Sequence, residues 1–272
     1  MLRQRVLVVL VLLPIGLVVI LAGGWWFAAG IALVLGLAAF EFGRLFRSGG
    51  QRPSMPLLVA FAAAFALARH LWGFGGSPEL LAAVCLLGMT WHLVDYERGA
   101  AASATDMAIT FGGILYLGWL GGYFVSLRDL PDGAWWLLLA LPTVWLADSG
   151  AYFVGRRFGR HKLAPRLSPK KTWEGYVAGI VTGAISGALL ALAWATWAAT
   201  PAYFTWLNGL VIGTVLAVLT TLGDIGISMI KRQVQVKDSG ALLPGHGGVL
   251  DRIDSWLWAG VLGYYLALWL TA

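Results

Sequence analysis

The sequence lacks most of what a soluble or disulfide-bonded protein contains. Cys85 is the only cysteine among 272 residues, so an intrachain disulfide is excluded, and we expect this side chain to pack in the core. Cys85 and the four histidines show no spacing typical of zinc ligands. Charged residues make up 12% of the chain and hydrophobic residues 59%. This composition excludes a soluble domain and indicates a multi-pass membrane protein.

Two signatures of other phosphate-binding classes are also absent. The pattern GxxxxGK[ST] of a Walker A loop does not occur. The 19 Lys and Arg residues help to give a net charge of +6, but they are few and match no RNA- or DNA-binding module. We therefore expect no nucleic acid partner.

Apolar runs follow one another along the chain, and most are about 17 to 20 residues long, enough for a helix to cross a hydrocarbon core of roughly 30 Å. We therefore predict an all-α fold, that of a polytopic helical membrane protein with about nine transmembrane helices. The runs lie near residues 6–22, 25–42, 55–72, 79–94, 107–127, 135–154, 175–198, 203–226 and 255–271.

The first run has a second interpretation. Arg3 and Arg5 precede it and Ala22 follows it, an arrangement also found in cleaved signal peptides. We favour an uncleaved anchor, because the run is longer than a usual signal core and Trp25 and Trp26 lead directly into the next run.

The Lys and Arg residues between the runs predict the orientation. With the N-terminus inside and nine spans, 17 of the 19 fall on the inner side, and only Arg69 and Arg128 fall outside. The positive-inside rule identifies the inner side as cytoplasmic. We therefore expect an integral protein of the bacterial inner membrane, with its active site facing the cytoplasm.

Two polar segments, residues 148–175 and 228–254, carry 11 of the 19 Lys and Arg residues. Two predicted spans separate their loops, so both loops lie on one side and can build one site. They could instead be topogenic loops that contact anionic lipid. That alternative accounts for the basic residues but not for the interspersed Asp residues or the SPKKT and GHGG runs.

Carboxylates and hydroxyls give these segments their chemistry. Asp148 and Asp224 each end an apolar run, where a carboxylate needs a partner, a cation or water, although either could be a solvated helix end. On a continuing helix, Asp224, Ser228 and Lys231 share one face. The run Ser168-Pro169-Lys170-Lys171-Thr172 has the composition of an anion clamp. Its Lys residues can neutralise phosphates, and its hydroxyls can bond phosphates or cap a helix.

The end of the second segment combines a turn with further carboxylates. The glycines around His246 favour a tight turn whose amides could hold phosphate oxygens. Asp251 and Asp254 follow three residues apart and face the same way if a helix begins there. Carboxylates, phosphates and water together suit Mg²⁺, which we expect as the cation.

The second segment resembles the signature of the phosphatidate cytidylyltransferases, also called CDP-diacylglycerol synthases. The pattern is Ser-x-apolar-Lys-Arg, four residues, Lys-Asp, and a turn ending Pro-x-His-Gly-Gly-apolar-x-Asp-Arg-apolar-Asp. The likeness extends to the first segment, to Gly223-Asp224 and loosely to the EFGRLFR run after the second span. One departure is Ile227, where family members often carry Glu. All positions of the pattern are matched, by Ser228, Lys231, Arg232, Lys237, Asp238, Pro244, His246, Gly247, Gly248, Asp251, Arg252 and Asp254.

The resemblance implies transfer of a cytidylyl group from CTP to phosphatidic acid in phospholipid synthesis, with Mg²⁺ held by Asp224 and Asp251. The expected products are CDP-diacylglycerol and pyrophosphate, and a homodimer is left open. We divide the chain into N-terminal transmembrane helices, residues 1–130, and C-terminal helices with the catalytic loops, residues 131–272. The expected catalytic residues are Asp224, Lys231, Lys237, Asp238, Asp251 and Asp254. The expected substrate-binding residues are Asp148, Ser168, Lys170, Lys171, Thr172, Ser228, Arg232, His246, Gly247, Gly248 and Arg252.

Two other classes share some of these features. A transporter would also have many spans, but its ionisable residues should cluster near the bilayer midplane rather than at one face. A CDP-alcohol phosphatidyltransferase would share Mg²⁺ and lipid, but its DGxxAR pattern does not occur in this chain.

Overall fold

The computed structural model describes residues 2–199, 201–240, 242 and 247–272, with the side chains of residues 2–9 and 201 excepted. Within these residues the fold is all-α, as predicted, apart from one short hairpin. The α-helices are α1 (Leu2–Ala22), α2 (Gly24–Ser48), α3 (Met55–Trp72), α4 (Ser77–Glu97), α5 (Ser103–Gly113), α6 (Tyr123–Arg128), α7 (Gly133–Phe158), α8 (Trp173–Trp194), α9 (Trp206–Leu219), α10 (Thr221–Gln233) and α11 (Leu250–Thr271).

Seven helical stretches in the described part of the chain are long and apolar enough to cross a membrane. They are α2, α3, α4, α7, α8 and two composite stretches, Ser103–Arg128 and Trp206–Gln233. The other two predicted runs coincide with α1, of which only Leu10–Ala22 has described side chains, and with α11, which has a polar first turn. The prediction of a polytopic helical membrane protein is confirmed, and the count of nine is approximate.

Both composite stretches depart from regular α-helix. A π-helical segment, Ile114–Trp119, follows α5 and precedes α6. Thr220 separates α9 from α10, and its hydroxyl donates to the carbonyl of Leu216 at 2.7 Å. A Thr hydroxyl bonded in this way competes with the helical hydrogen bonds and bends a helix. The regular helix is therefore interrupted at Thr220, just before Asp224.

The chain divides into two compact units. The first contains the residues up to Asp129 together with Lys231–Ile253, and the second contains Leu130–Ile230 together with Asp254–Ala272. The first polar segment, residues 148–175, therefore lies in the second unit, and most of the second segment, residues 231–253, lies in the first unit. The functional division between residues 1–130 and 131–272 stays a prediction.

In the first unit, α2 and α3 bury Leu35, Leu58 and Phe65, each at 1% exposure or less. The two Arg residues that the charge count placed outside have protein partners in this unit. Arg128 donates to the carbonyls of Ile20 and Leu21 at the end of α1, at 2.6 and 3.0 Å. Arg69 is 2% exposed, and its guanidinium lies 3.6 Å from the ring centre of Phe74. These two residues therefore have structural roles.

We expected Cys85 to pack in the core, but this prediction is wrong. The side chain is exposed on α4. Most of α4 is not buried within the protein, and its exposed side chains include Leu86, Leu87 and Leu93. A helix surface that faces lipid is as apolar as a core, so the sequence could not distinguish the two environments.

In the second unit, glycines allow α7, α8 and α9 to approach closely. A Cβ atom at Gly183 of α8 would lie 2.9 Å from the carbonyl oxygen of Gly213 on α9. A Cβ atom at Gly187 would lie 2.9 Å from the Cα atom of Gly213. Small residues at such crossings are typical of membrane helices, where tight packing replaces hydrophobic burial.

Candidate active site

The loop between α7 and α8, in the second unit, folds into a hairpin that the sequence did not predict. Strands β1 (Lys162–Ala164) and β2 (Ser168–Thr172) are antiparallel and pair Lys162 with Thr172. The carboxylate of Glu174 closes the hairpin, because it accepts the backbone N–H groups of Arg160 and His161 at 3.1 and 3.2 Å. The Nδ1 atom of His161 lies 2.6 Å from the same carboxylate. The loop between α7 and α8 is therefore an ordered hairpin in which the position of β2 is fixed.

The members of the predicted anion clamp have different environments in β2. Thr172 is 5% exposed and is the N-cap of α8, since its hydroxyl accepts the N–H of Gly175 at 3.2 Å. Of the two roles that the sequence allowed, capping is the one observed. Ser168 is half-buried and pairs with Ala164, whereas Lys170 is exposed. The predicted contacts of these residues with substrate stay predictions.

Lys171 and Asp224 form the polar centre of the second unit. The ammonium of Lys171 lies 2.7 Å from Oδ2 of Asp224, and the hydroxyl of Ser228 donates to Oδ1 at 3.3 Å. Asp148 on α7 interacts electrostatically with both members of the pair. The prediction that Ser228 lies beside Asp224 is confirmed. Lys231 follows on the same helix, as predicted, and its ammonium is paired with the carboxylate of Asp251.

Gly223 and Asp254 bring the start of α10 against α11 within this unit. A Cβ atom at Gly223 would collide with the backbone carbonyl of Asp254 and would lie 2.7 Å from the ring of Trp258. Asp254 is 8% exposed, and one of its carboxylate oxygens accepts the N–H of Ser255 at 2.6 Å. Glycine before Asp224 is therefore required by close packing.

The first unit contains a second Lys–Asp pair at the signature loop, which we define as residues 237–250. Oδ1 of Asp251 lies 2.6 Å from the ammonium of Lys231. Oδ2 accepts the N–H and the hydroxyl of Ser239, at 2.8 and 2.9 Å, and the N–H of Gly248 at 3.2 Å. Burial alone would raise the pKa of Asp251, which precedes the predicted span, but the bonds from Lys231 and Ser239 outweigh it and lower the pKa.

The two consecutive glycines of the GHGG run fit closely around Asp251. Gly247 has a φ of 81°, a conformation that favours glycine, and a Cβ atom there would lie 3.1 Å from Oδ2 of Asp251. A Cβ atom at Gly248 would collide with the hydroxyl of Ser239. In the described part of the turn, the glycines therefore make room for protein oxygens. His246 lies outside the described residues, as do Pro244 and Gly245.

The other predicted site residues of the first unit are accessible. Arg232, Lys237, Asp238 and Arg252 are all exposed. The guanidinium of Arg232 donates to the carbonyl of Val236 at 3.2 Å, which helps to shape the end of α10. Exposed cations beside a fixed loop can neutralise phosphate groups without breaking a buried ion pair.

Sequence reasoning missed two residues, Glu41 and Ser239. Glu41 lies on α2 at 2% exposure, and its Oε2 atom accepts the N–H of Leu250 at 2.9 Å and the hydroxyl of Ser239 at 3.3 Å. Both residues line a cavity of about 420 Å³ together with Arg44 and Asp238. The available signal was a carboxylate inside the second apolar run, since such residues need a partner.

Ile227 occupies the position where the family pattern often has Glu. Its side chain is 1% exposed in the second unit. A branched apolar side chain suits this environment, whereas a carboxylate would require a partner there.

Comparison with known proteins places these observations in a family. Residues 3–270 match the model of the cytidylyltransferase family. A phosphatidate cytidylyltransferase of Pseudomonas aeruginosa is 36% identical, over 99% of this chain and 97% of the relative. One of Synechocystis is 30% identical, over 97% and 96%, and one of Bacillus subtilis is 41% identical, over 56% and 55%. The chain therefore belongs to the cytidylyltransferase family.

Proposed function

We propose that this chain transfers a cytidylyl group from CTP to phosphatidic acid at the cytoplasmic face of the membrane. The supporting observation is that relatives named phosphatidate cytidylyltransferase match nearly the whole length of this chain, in which the signature residues Lys231 and Asp251 form an ion pair. Helices long enough to span a membrane agree with a lipid substrate. The active form as a homodimer stays a prediction.

The reaction requires no nucleophile from the protein. An anionic phosphate oxygen of phosphatidic acid forms a bond to the α-phosphorus of CTP, and the bond from this phosphorus to the bridging oxygen of the β-phosphate breaks. Pyrophosphate leaves with that electron pair, and CDP-diacylglycerol remains. The task of the protein is to bring two anions together and to neutralise the charge that develops on the departing group.

Cationic side chains of the two polar segments carry out this neutralisation. Exposed cations can turn toward a phosphate, whereas the ammonium groups of Lys171 and Lys231 lie 2.7 and 2.6 Å from the carboxylates of Asp224 and Asp251. We assign binding of the triphosphate and of the lipid phosphate to Lys170, Arg232, Lys237 and Arg252.

Asp224 and Asp251 fit Mg²⁺ to different degrees. Asp224 has one long bond on Oδ1 and a side chain that is 34% exposed, so it has lone pairs for a cation. Asp251 already accepts bonds from Lys231, Ser239 and Gly248. Mg²⁺ is usually held by one or two carboxylates, with phosphates and water as its other ligands. When bound, Mg²⁺ would stabilise phosphate charge.

The activity is tested with purified protein, labelled CTP, phosphatidic acid and Mg²⁺. We expect a lipid-soluble cytidylate product and one equivalent of pyrophosphate. Label that stays entirely in the aqueous phase would contradict the proposed function.

The cytoplasmic orientation is tested separately by cysteine labelling in intact bacterial cells. Single cysteines at residues 160 and 240 in a Cys85→Ser background should both react only after the cytoplasmic side is made accessible. A cysteine added at the C-terminus should react from outside. Labelling of residues 160 and 240 from opposite sides would contradict this topology.

A further inference from the structure

Glu41 is a buried carboxylate in the first unit, in a position where an unpartnered charge would destabilise the fold. It lies near the end of an apolar helix and is 2% exposed, and a carboxylate in such a place is destabilising unless it makes specific bonds. Among the described residues, its Oε2 atom accepts two bonds from the signature loop, whereas its buried Oε1 atom has no hydrogen-bond partner. Its Oε2 atom accepts the N–H of Leu250 at 2.9 Å and the hydroxyl of Ser239 at 3.3 Å.

Glu41 is connected to Asp251 through one residue. The hydroxyl of Ser239 contacts Glu41 and also lies 2.9 Å from Oδ2 of Asp251. Asp251 in turn lies 2.6 Å from the ammonium of Lys231. Glu41 and Asp251 therefore share the single hydroxyl proton of Ser239 as acceptors, and Glu41 also accepts the backbone N–H of Leu250 at the other end of the loop.

The loop backbone is shaped around the carboxylate of Glu41. A Cβ atom at Gly240 would lie 2.5 Å from Oε1 of Glu41, and a Cβ atom at Gly248 would collide with Oε2. The glycines that flank the turn thus leave space that Glu41 fills. This close fit is expected of an anchor that fixes backbone position.

We propose that Glu41 is a positioning residue for the cytidylyl transfer, acting through Ser239 and Leu250 to hold the signature loop and Asp251 in place. The inference rests on the proposed function. Glu41 is bonded to the loop rather than being part of it, so its substitution changes the loop position and leaves every residue of the signature intact. Misplacement of reacting groups by about 1 Å can cost about a hundredfold in rate.

Asp106 offers a matched control in the same unit. It is 3% exposed and accepts a backbone N–H, that of Arg52, at 2.7 Å, so its environment is like that of Glu41. It holds the connection between α2 and α3 rather than the signature loop. Removal of either carboxylate should lower stability, but only the Glu41 variant should change catalysis.

The experiment compares Glu41→Ala, Glu41→Gln and Asp106→Ala in the purified full-length protein. We expect Glu41→Ala to lower kcat/KM for CTP by roughly thirtyfold or more and to speed hydrogen exchange at residues 237–252 by about tenfold or more. We expect Asp106→Ala to keep kcat/KM within about twofold of the wild type at a comparable loss of Tm. Glu41→Gln should stay within about threefold, since one amide oxygen can accept both bonds.

Several results would overturn the inference. Equal kcat/KM in Glu41→Ala and Asp106→Ala would make Glu41 purely structural, and a Glu41→Gln variant as slow as Glu41→Ala would exclude hydrogen-bond positioning. If Glu41→Ala does not fold, Ser239→Ala takes its place, with kcat/KM about tenfold lower expected and no change contradicting the inference. A wild type without cytidylate product would refute the proposed function, and hydrogen exchange would still report whether Glu41 holds the loop.

Discussion

The Lys171–Asp224 and Lys231–Asp251 pairs have the same chemistry but different surroundings. The first has side chains that are 24% and 34% exposed, and Asp224 has one further bond, of 3.3 Å. The second has side chains that are 10% and 7% exposed, and Asp251 accepts three further bonds from the loop. The two carboxylates expected to bind the metal are therefore not equivalent.

The difference separates a carboxylate that can change partners from one that organises protein structure. Asp224 can exchange Lys171 for a cation or share it with a phosphate, since both side chains of the pair are partly exposed. Asp251 would have to release donors that its own unit provides, and a buried ion pair that loses one partner is strongly destabilised. Substitutions at the two positions should consequently differ in stability even where both reduce activity.

The largest effect is expected for Asp251→Asn. The amide would place N–H groups against Lys231, Ser239 or Gly248, leaving a buried ammonium or donor without an acceptor. We expect an apparent Tm in detergent lower by roughly 6 to 12 °C, for a loss of about 3 kcal/mol or more. Turnover should also fall by about a hundredfold or more.

The double variant Lys231→Met, Asp251→Asn is the control for this effect. Removal of the ammonium relieves the uncompensated charge, so part of the lost Tm should return while turnover stays low. A single Asp251→Asn variant with the Tm of the wild type would show that the buried pair does not stabilise the first unit.

A smaller overall effect is expected for Asp224→Asn, which should change activity and not stability. The pair is partly exposed, and such pairs contribute about 1 kcal/mol or less, so the Tm should stay within a few degrees. Turnover should fall by about a hundredfold, an electrostatic loss of about 3 kcal/mol. Ser228→Ala, which removes the 3.3 Å bond, is the matched control and should cost far less. Near-normal rates for Asp224→Asn at limiting Mg²⁺ would remove Asp224 from the metal site.

The fold was largely predictable because lipid imposes a simple length and composition rule on spanning helices. The nine apolar runs coincide with helical stretches in the described chain, and seven of these stretches are long and apolar enough to cross a membrane. The break at Thr220 and the π-helical segment were not predictable, since their apolar residues continue without interruption. Cys85 was misplaced for the same reason, as a lipid-facing surface and a core have similar compositions.

The site was predictable at the level of residue types but not of partners. The motif identified Asp224, Lys231 and Asp251 as important, and helical periodicity predicted Asp224, Ser228 and Lys231 on one helix face without predicting their partners. In the structure Lys231 forms an ion pair with Asp251, and Asp224 forms one with Lys171. These partners could not be predicted, because they depend on contacts between elements that are distant in sequence. Glu41 was missed for this reason, since its partners lie about two hundred residues away.

The smallest effect on activity is expected at Lys171, and it tests whether the loop between α7 and α8 is a phosphate clamp or only a topogenic loop. Arg156 is the control, because it lies in the same polar segment and has the same charge. Arg156 is exposed, and its guanidinium donates to the hydroxyl of Tyr152 at 3.1 Å, whereas Lys171 is half-buried and paired with Asp224. We expect Lys171→Ala to lower kcat/KM for CTP by about tenfold or more, since a charge-assisted contact is lost, and Arg156→Ala to stay within about twofold.

The comparison also tests whether Lys171 acts on CTP directly or through Asp224. In a double-mutant cycle, Lys171→Ala should cost less in the Asp224→Asn background than in the wild type if the lysine mainly holds the carboxylate. If Lys171 contacts the triphosphate by itself, the two costs should add and KM for CTP should rise in both backgrounds. Equal kcat/KM values for Lys171→Ala and Arg156→Ala would contradict the clamp. The hairpin would then be an orientation signal, and the exposed cations of the first unit would bind CTP without it.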